Sequence, residues 1–205
     1  MATLVQIALA FSVAALPALA AADASCRART EHVDARGVAT VSAECAWPLS
    51  PRDVLATLRD HATLASALSS LGEGWRLPDG RVVQVHQPGF PFEDRQVTLD
   101  WREFPLADGG MRISYRSAAE QVPLPPHRTS IREDEGRWLV LSDGAGGARV
   151  SYTSRYDAGG NLKPWLVRRF QRAGIARSLA EIRAAAEASA QRVALAAAEP
   201  PESAR

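Results

Sequence analysis

Apolar and polar residues alternate through most of the middle of the chain. Val97, Leu99 and Trp101 are interleaved with Thr98, Asp100 and Arg102, the period of two that sends one set of side chains to a core and the other to water. Ile113 with Tyr115 repeats the pattern, as does Val150 with Tyr152 before the more polar Ser154 and Tyr156. Turn signals punctuate it at Pro78-Asp79-Gly80, Asp108-Gly109-Gly110, Glu135-Gly136 and Gly144 to Gly147. Together they predict an antiparallel meander with strands at 81–87, 94–104, 111–118, 127–134, 137–142 and 148–157 and one apolar face.

On either side of the meander the period becomes helical. Ser50 is a good N-cap, Pro51 suits the first helical position and Asp53 the first turn. Val54, Leu55 and Leu58, then Leu64, Leu68 and Leu71, predict one or two short helices ended by Gly72 and Gly74. From about Pro164 to Leu195, residues Phe170, Ala173, Ile175, Leu179, Ile182, Ala186 and Val193 recur at helical spacing. They mark an apolar stripe about 100° wide or more, with Asn161 available as a cap. The sheet's apolar face needs a cover, and this is the only long helix left to supply it. The predicted class is α+β, a curved antiparallel sheet packed around a C-terminal helix.

The ends of the chain read differently. Residues 1–22 form an Ala/Leu-rich run with no charge before Asp23 and small residues spaced as for signal peptidase, after Ala20 or after Ala22. A secretory signal is expected; the competing reading, an uncleaved anchor, is opposed by the many alanines and by Pro17. Residues 23–198 then make one domain of ordinary size, and 199–205 a polar, proline-containing tail. The expected location is periplasmic or secreted, where two cysteines normally pair. Cys26–Val33 and Val38–Cys45 flank an Asp34-Ala35-Arg36-Gly37 turn. If Ala35 and Arg36 form the loop, Cys26 lies opposite Cys45 and a disulfide can form; a bulge at Gly37 shifts that register by one. Two free buried thiols are the alternative.

Charge and chemical motifs mostly exclude. Lys and Arg number 24 against 23 Asp and Glu, so no global field draws the chain onto nucleic acid. His32, His61, His86 and His127 are scattered without metal-ligand spacing, and neither a metal nor a cofactor is expected. There is no nucleophile elbow, phosphate loop or dinucleotide fingerprint. Glu93 and Asp94, as strand neighbours, point to opposite faces. A monomer without catalytic residues is the expectation.

Two stretches carry a family resemblance. QPGFPFEDRQVTLDW resembles the landmark of the START (StAR-related lipid-transfer) family, where a Pro-aromatic-Pro turn leads into Arg-Asp at a strand start; Pro91 and Arg95 keep the spacing. IREDEGRWLVL, GGARVSYTSRYDAGGNLKPWLVRRF and the helix with SLAEIR are similar to the family's closing half. The departures are Gln96 for the aspartate, Trp101 where some cholesterol-binding members have a second arginine, and no tryptophan near Leu64 and Leu68.

The resemblance implies a helix-grip fold with a tunnel for one phospholipid, sterol or similar ligand. It assigns Val97, Leu99, Trp101, Ile113, Tyr115, Val150, Tyr152, Leu166 and Phe170 to the cavity, and Phe90, Phe92, Arg95 and Trp165 to its rim. A filled core is the alternative for each aromatic. Gln96 is the first place to look for unusual ligand choice. Lys163, Arg168, Arg169 and Arg172 beside Trp165 fit either anionic membrane docking or a solvated helix face. The rival function is a helix-grip enzyme of aromatase/cyclase or hydrolase type, with His127, Asp100 or Glu103 as its polar side chain.

Overall fold

The computed structural model describes residues 26–89, 92–159 and 162–198. The expected signal segment, Phe90, Pro91, the expected cap Asn161 and the expected tail lie outside the described residues. The chain runs β1 (Cys26–Val33), β2 (Ala39–Trp47), α1 (Pro51–Arg59), α2 (His61–Ala67), β3 (Leu71–Arg76), β4 (Val82–His86) and β5 (Asp94–Pro105). It continues through β6 (Met111–Ser117), β7 (Arg128–Ser130), β8 (Glu133–Ser142) and β9 (Ala148–Asp157) to α3 (Pro164–Ala198). The strands form one sheet in the order β1-β2-β9-β8-β6-β5-β4-β3, with β7 parallel to the start of β5.

Local chemistry explains the helix starts. Ser50 Oγ accepts the Asp53 amide at 3.2 Å, and Asp60 Oδ1 accepts that of Thr63 at 2.9 Å. In α3 only the middle of the predicted stripe is buried: Ile175, Leu179, Ile182 and Ala186. Phe170 and Val193, at either end of the stripe, are 57% and 67% exposed.

Three glycines correct the strand prediction. Gly72 and Gly74 do not end a helix; they lie in β3, and a side chain at Gly74 would meet the His61 carbonyl at 2.7 Å, where α2 crosses the strand. Gly136 is no turn either. It sits within β8, whose break from β7 falls at Ile131-Arg132, so the expected strands 127–134 and 137–142 are a short strand and a long one. A Cβ at Gly136 would stand 2.5 Å from Tyr115 Oη, so the neighbouring strand's ring requires the glycine.

In the first hairpin both register readings apply. Gly37, with φ of 79°, shifts the pairing by one at Val33–Ala39, and an irregularity between Thr30 and His32 restores it. Cys26 therefore faces Cys45 and is disulfide-bonded to it.

Beyond β5 the segment around Gln121 and Val122 covers the outer side of the sheet. Thr98 Oγ1 accepts the Val122 amide at 2.9 Å, and Gln121 bonds both the amide and the carbonyl of Thr98. The first half of β5 is thus buried on both faces, with Gln96 and Thr98 outward and Arg95, Val97 and Leu99 inward.

Candidate functional site

Between the inner sheet face and α3 lies a cavity of about 410 Å³. Leu58, Leu64, Leu71, Leu99, Ile175 and Leu179 supply much of its apolar wall. This is the size and lining of a small-molecule pocket. A depression of about 440 Å³ on the outer face is lined mainly by charged and hydroxyl side chains such as Asp100, Arg102, Arg116 and Arg137. An apolar ligand belongs in the inner one.

An aromatic ladder crosses the inner face. Trp101 stacks on Tyr115 at 5.9 Å and Trp138 on Tyr152 at 4.0 Å, while His61 meets Trp101 edge-on at 5.0 Å. The two tyrosine hydroxyls share a 2.7 Å hydrogen bond that spans the strand holding Gly136. Burial raises the pKa of Tyr115 well above the phenol range and that of Tyr152 to about 12, so both remain neutral.

A second group of cavity side chains is polar: His86, Arg95, Asp134 and Tyr156. His86 stacks on Tyr156 at 5.7 Å, and its Nε2 stands 4.0 Å from Asp134 Oδ2 without a hydrogen-bond partner. A quarter of the His86 side chain is accessible, and the residue borders the cavity. Burial depresses the His86 pKa to about 4. Burial, and then Glu135, raises that of Asp134 to about 7. Near neutral pH the imidazole is uncharged and the carboxyl is poised between its two forms.

The assigned residues separate in the structure. Leu99, Trp101, Tyr115, Tyr152, Leu166 and Phe170 border the cavity. Val97, Ile113 and Val150 share the inner face but are buried in the core cluster and do not border it. Of the rim, Phe92 and Arg95 border the cavity; Trp165 does not, and is 58% exposed. Phe92 and Phe170 meet edge-on at 6.3 Å, so Phe170 belongs to the mouth rather than the interior. Lys163, Arg169 and Arg172 are exposed, whereas Arg168 is half-buried and donates to the Gly37 carbonyl.

The polar side chains expected for an enzyme are elsewhere. His127 is exposed, Asp100 faces outward and pairs with Arg116, and Glu103 binds Arg59; none borders the cavity. Gln96 also points away, held by Arg128 and the Val122 carbonyl. Sequence reasoning missed His86 and Asp134. Counting by twos from Trp138 back through Gly136 reaches Asp134, a signal hidden once Gly136 is read as a turn.

A nine-stranded sheet gripping a C-terminal helix around an apolar cavity is the START helix-grip architecture. Solved structures agree at low identity. The STAR-related lipid transfer protein (fragment 25–204) from Xanthomonas axonopodis matches with TM-score 0.72 and 17% identity, over 80% of this chain and 94% of that one. Human STARD10 matches with TM-score 0.74 and 15% identity, over 86% and 76%. The Zhui aromatase/cyclase from Streptomyces sp. R1128 matches with TM-score 0.52 and 19% identity, over 85% and 99%. Comparison with curated proteins by sequence found no match. Residues 38–187 match the model of the polyketide cyclase / dehydrase and lipid transport family, and the chain belongs to that family.

Proposed function

We propose that this is an exported protein that binds and carries one hydrophobic ligand, a lipid or similar molecule, between the sheet and α3. The observation that carries the reading is the cavity itself: about 410 Å³, walled by leucines and an aromatic ladder, with its entrance at Phe92 and Phe170. On the same stretch of chain as Phe170, Trp165 is exposed, and so are Lys163, Arg169 and Arg172. Such an amphipathic stretch suits transient contact with an anionic membrane during loading. The disulfide agrees with an oxidising compartment, and none of the described helices is long and apolar enough to cross a membrane.

Native mass spectrometry of the purified protein, followed by extraction of what co-purifies, tests the reading. One bound lipid-like molecule per chain is expected. No ligand, together with no uptake of fluorescent fatty-acid or sterol probes, would sink it. A second reading, an enzyme acting on a hydrophobic substrate, has one observation in its favour: His86 and Asp134, two titratable side chains 4.0 Å apart, both border the cavity. Recovery of a chemically altered ligand after incubation would favour it.

A further inference from the structure

Resting on the reading of the cavity as a ligand site, we propose that the ligand's head group is anionic, a carboxylate or a phosphate ester, and that Arg95 receives it. Arg95 is 6% exposed and borders the cavity. Its Nη1 donates to the Ala158 carbonyl at 2.8 Å, but its buried Nε has no hydrogen-bond partner. Among the described residues no carboxylate lies within the 4.0 Å of an ion pair with it. Arg112 also has a buried Nε without a partner, but its guanidinium lies 4.5 Å over the Phe104 ring and does not border the cavity. Two other arginines are ion-paired: Arg155 is clamped between Asp34 and Glu133, and Arg128 pairs with Glu73.

A guanidinium is permanently charged, and a buried charge without a counter-ion is costly. Asp134 does not supply one, since it stands beside His86 and makes no ion pair with Arg95. A planar fork with unused donors matches the geometry of carboxylate and phosphate oxygens. His86 lies directly across from Arg95 in the β4–β5 register and borders the same cavity. Arg95 also follows Phe92 by three residues, near the entrance. A ligand with its acidic head there sends its chain inward over Leu99 toward Leu58 and Leu179.

The test uses the full exported protein and competition against a neutral fluorescent probe bound in the cavity. Palmitate and hexadecyl phosphate are compared with methyl palmitate and hexadecanol, which keep the chain length and lose the charge. The wild-type protein should bind at least one acid about tenfold or more tightly than either neutral compound, as expected for one charge-assisted contact. Whether carboxylate or phosphate wins distinguishes a free fatty acid from a lipid phosphate as the source. Arg95→Gln should lose the preference for acid over ester and alcohol, while Arg95→Lys should retain part of it. Equal wild-type affinity for acid, ester and alcohol overturns the proposal and leaves the cavity reading intact, and this needs no variant to fold. Failure of all four compounds to bind overturns both.

Discussion

Replacing Asp134 by Asn removes one of two buried groups whose titrations oppose each other. In the folded protein the Asp134 pKa is raised from 3.8 to about 7, so the native state keeps a proton that the unfolded chain releases. Its contribution to stability is complete below pH 3.8 and is lost as pH rises through about 7. His86 works the other way. Its pKa falls from 6.5 to about 4, so its contribution is complete above pH 6.5 and is lost as pH falls through about 4. Each group changes stability by about 1.4 kcal/mol per pH unit inside its window. Integrated, Asp134 costs on the order of 4 kcal/mol above pH 7 and His86 on the order of 3 kcal/mol below pH 4. Between these limits the two slopes cancel. Urea unfolding at pH 4, 5, 6, 7 and 8 should therefore show Asp134→Asn gaining steadily on the wild type, by about 4 kcal/mol at pH 8 and little at pH 4. His86→Gln should gain on the wild type only toward acid. If the difference between Asp134→Asn and wild type stays constant across this range, the carboxyl is not titrating in a buried site and the electrostatic account is wrong.

Further outcomes follow from the geometry. Reducing the Cys26–Cys45 bond, which closes a sequence separation of 19 residues, should cost about 3 kcal/mol in chemical denaturation; an unchanged midpoint would show that β1 holds without it. Gly136→Ala places a methyl 2.5 Å from both Tyr115 Oη and the Thr153 carbonyl, and should cost about 1–3 kcal/mol. Shortening the ring in Gly136→Ala/Tyr115→Leu should make the pair cost less than the sum of the singles. Trp165→Ser with Phe170→Ser should weaken sedimentation with anionic vesicles several-fold without moving the thermal midpoint, since both side chains are largely exposed. A matching loss on neutral vesicles would remove the role of the basic residues.

Elements with an uninterrupted period were legible in the sequence. The alternation through Trp101, the caps of α1 and the Ile175-to-Ala186 stripe each report a one-sided burial that the fold then uses. Glycine was the point of failure. Gly72, Gly74 and Gly136 have the composition of turns, but two of them lie under a crossing chain or ring, information held by distant residues. The site was legible as a face and not as a boundary. Val97, Ile113 and Val150 alternate just as Leu99, Tyr115 and Tyr152 do, and only the placement of the helices decides which of them meets empty space. Asp134 was hidden because a carboxylate among Arg132, Glu133 and Glu135 reads as solvated, and His86 because it ends its strand beside Gln87 and Pro88. Their strand phase shows otherwise once the register is known.

The bare backbone at Gly136 ties two positions on neighbouring strands into one inherited unit. Tyr115 reaches across β8 to Tyr152 only because nothing projects from the strand between them. In relatives that keep this hydroxyl pair, a glycine should accompany it, and relatives with a side chain at the position of Gly136 should carry a small residue at that of Tyr115 together with a shifted backbone at that of Thr153. The shape of the ligand's resting place would then change between lineages by exchanging pairs of residues, with single replacements at either position selected against.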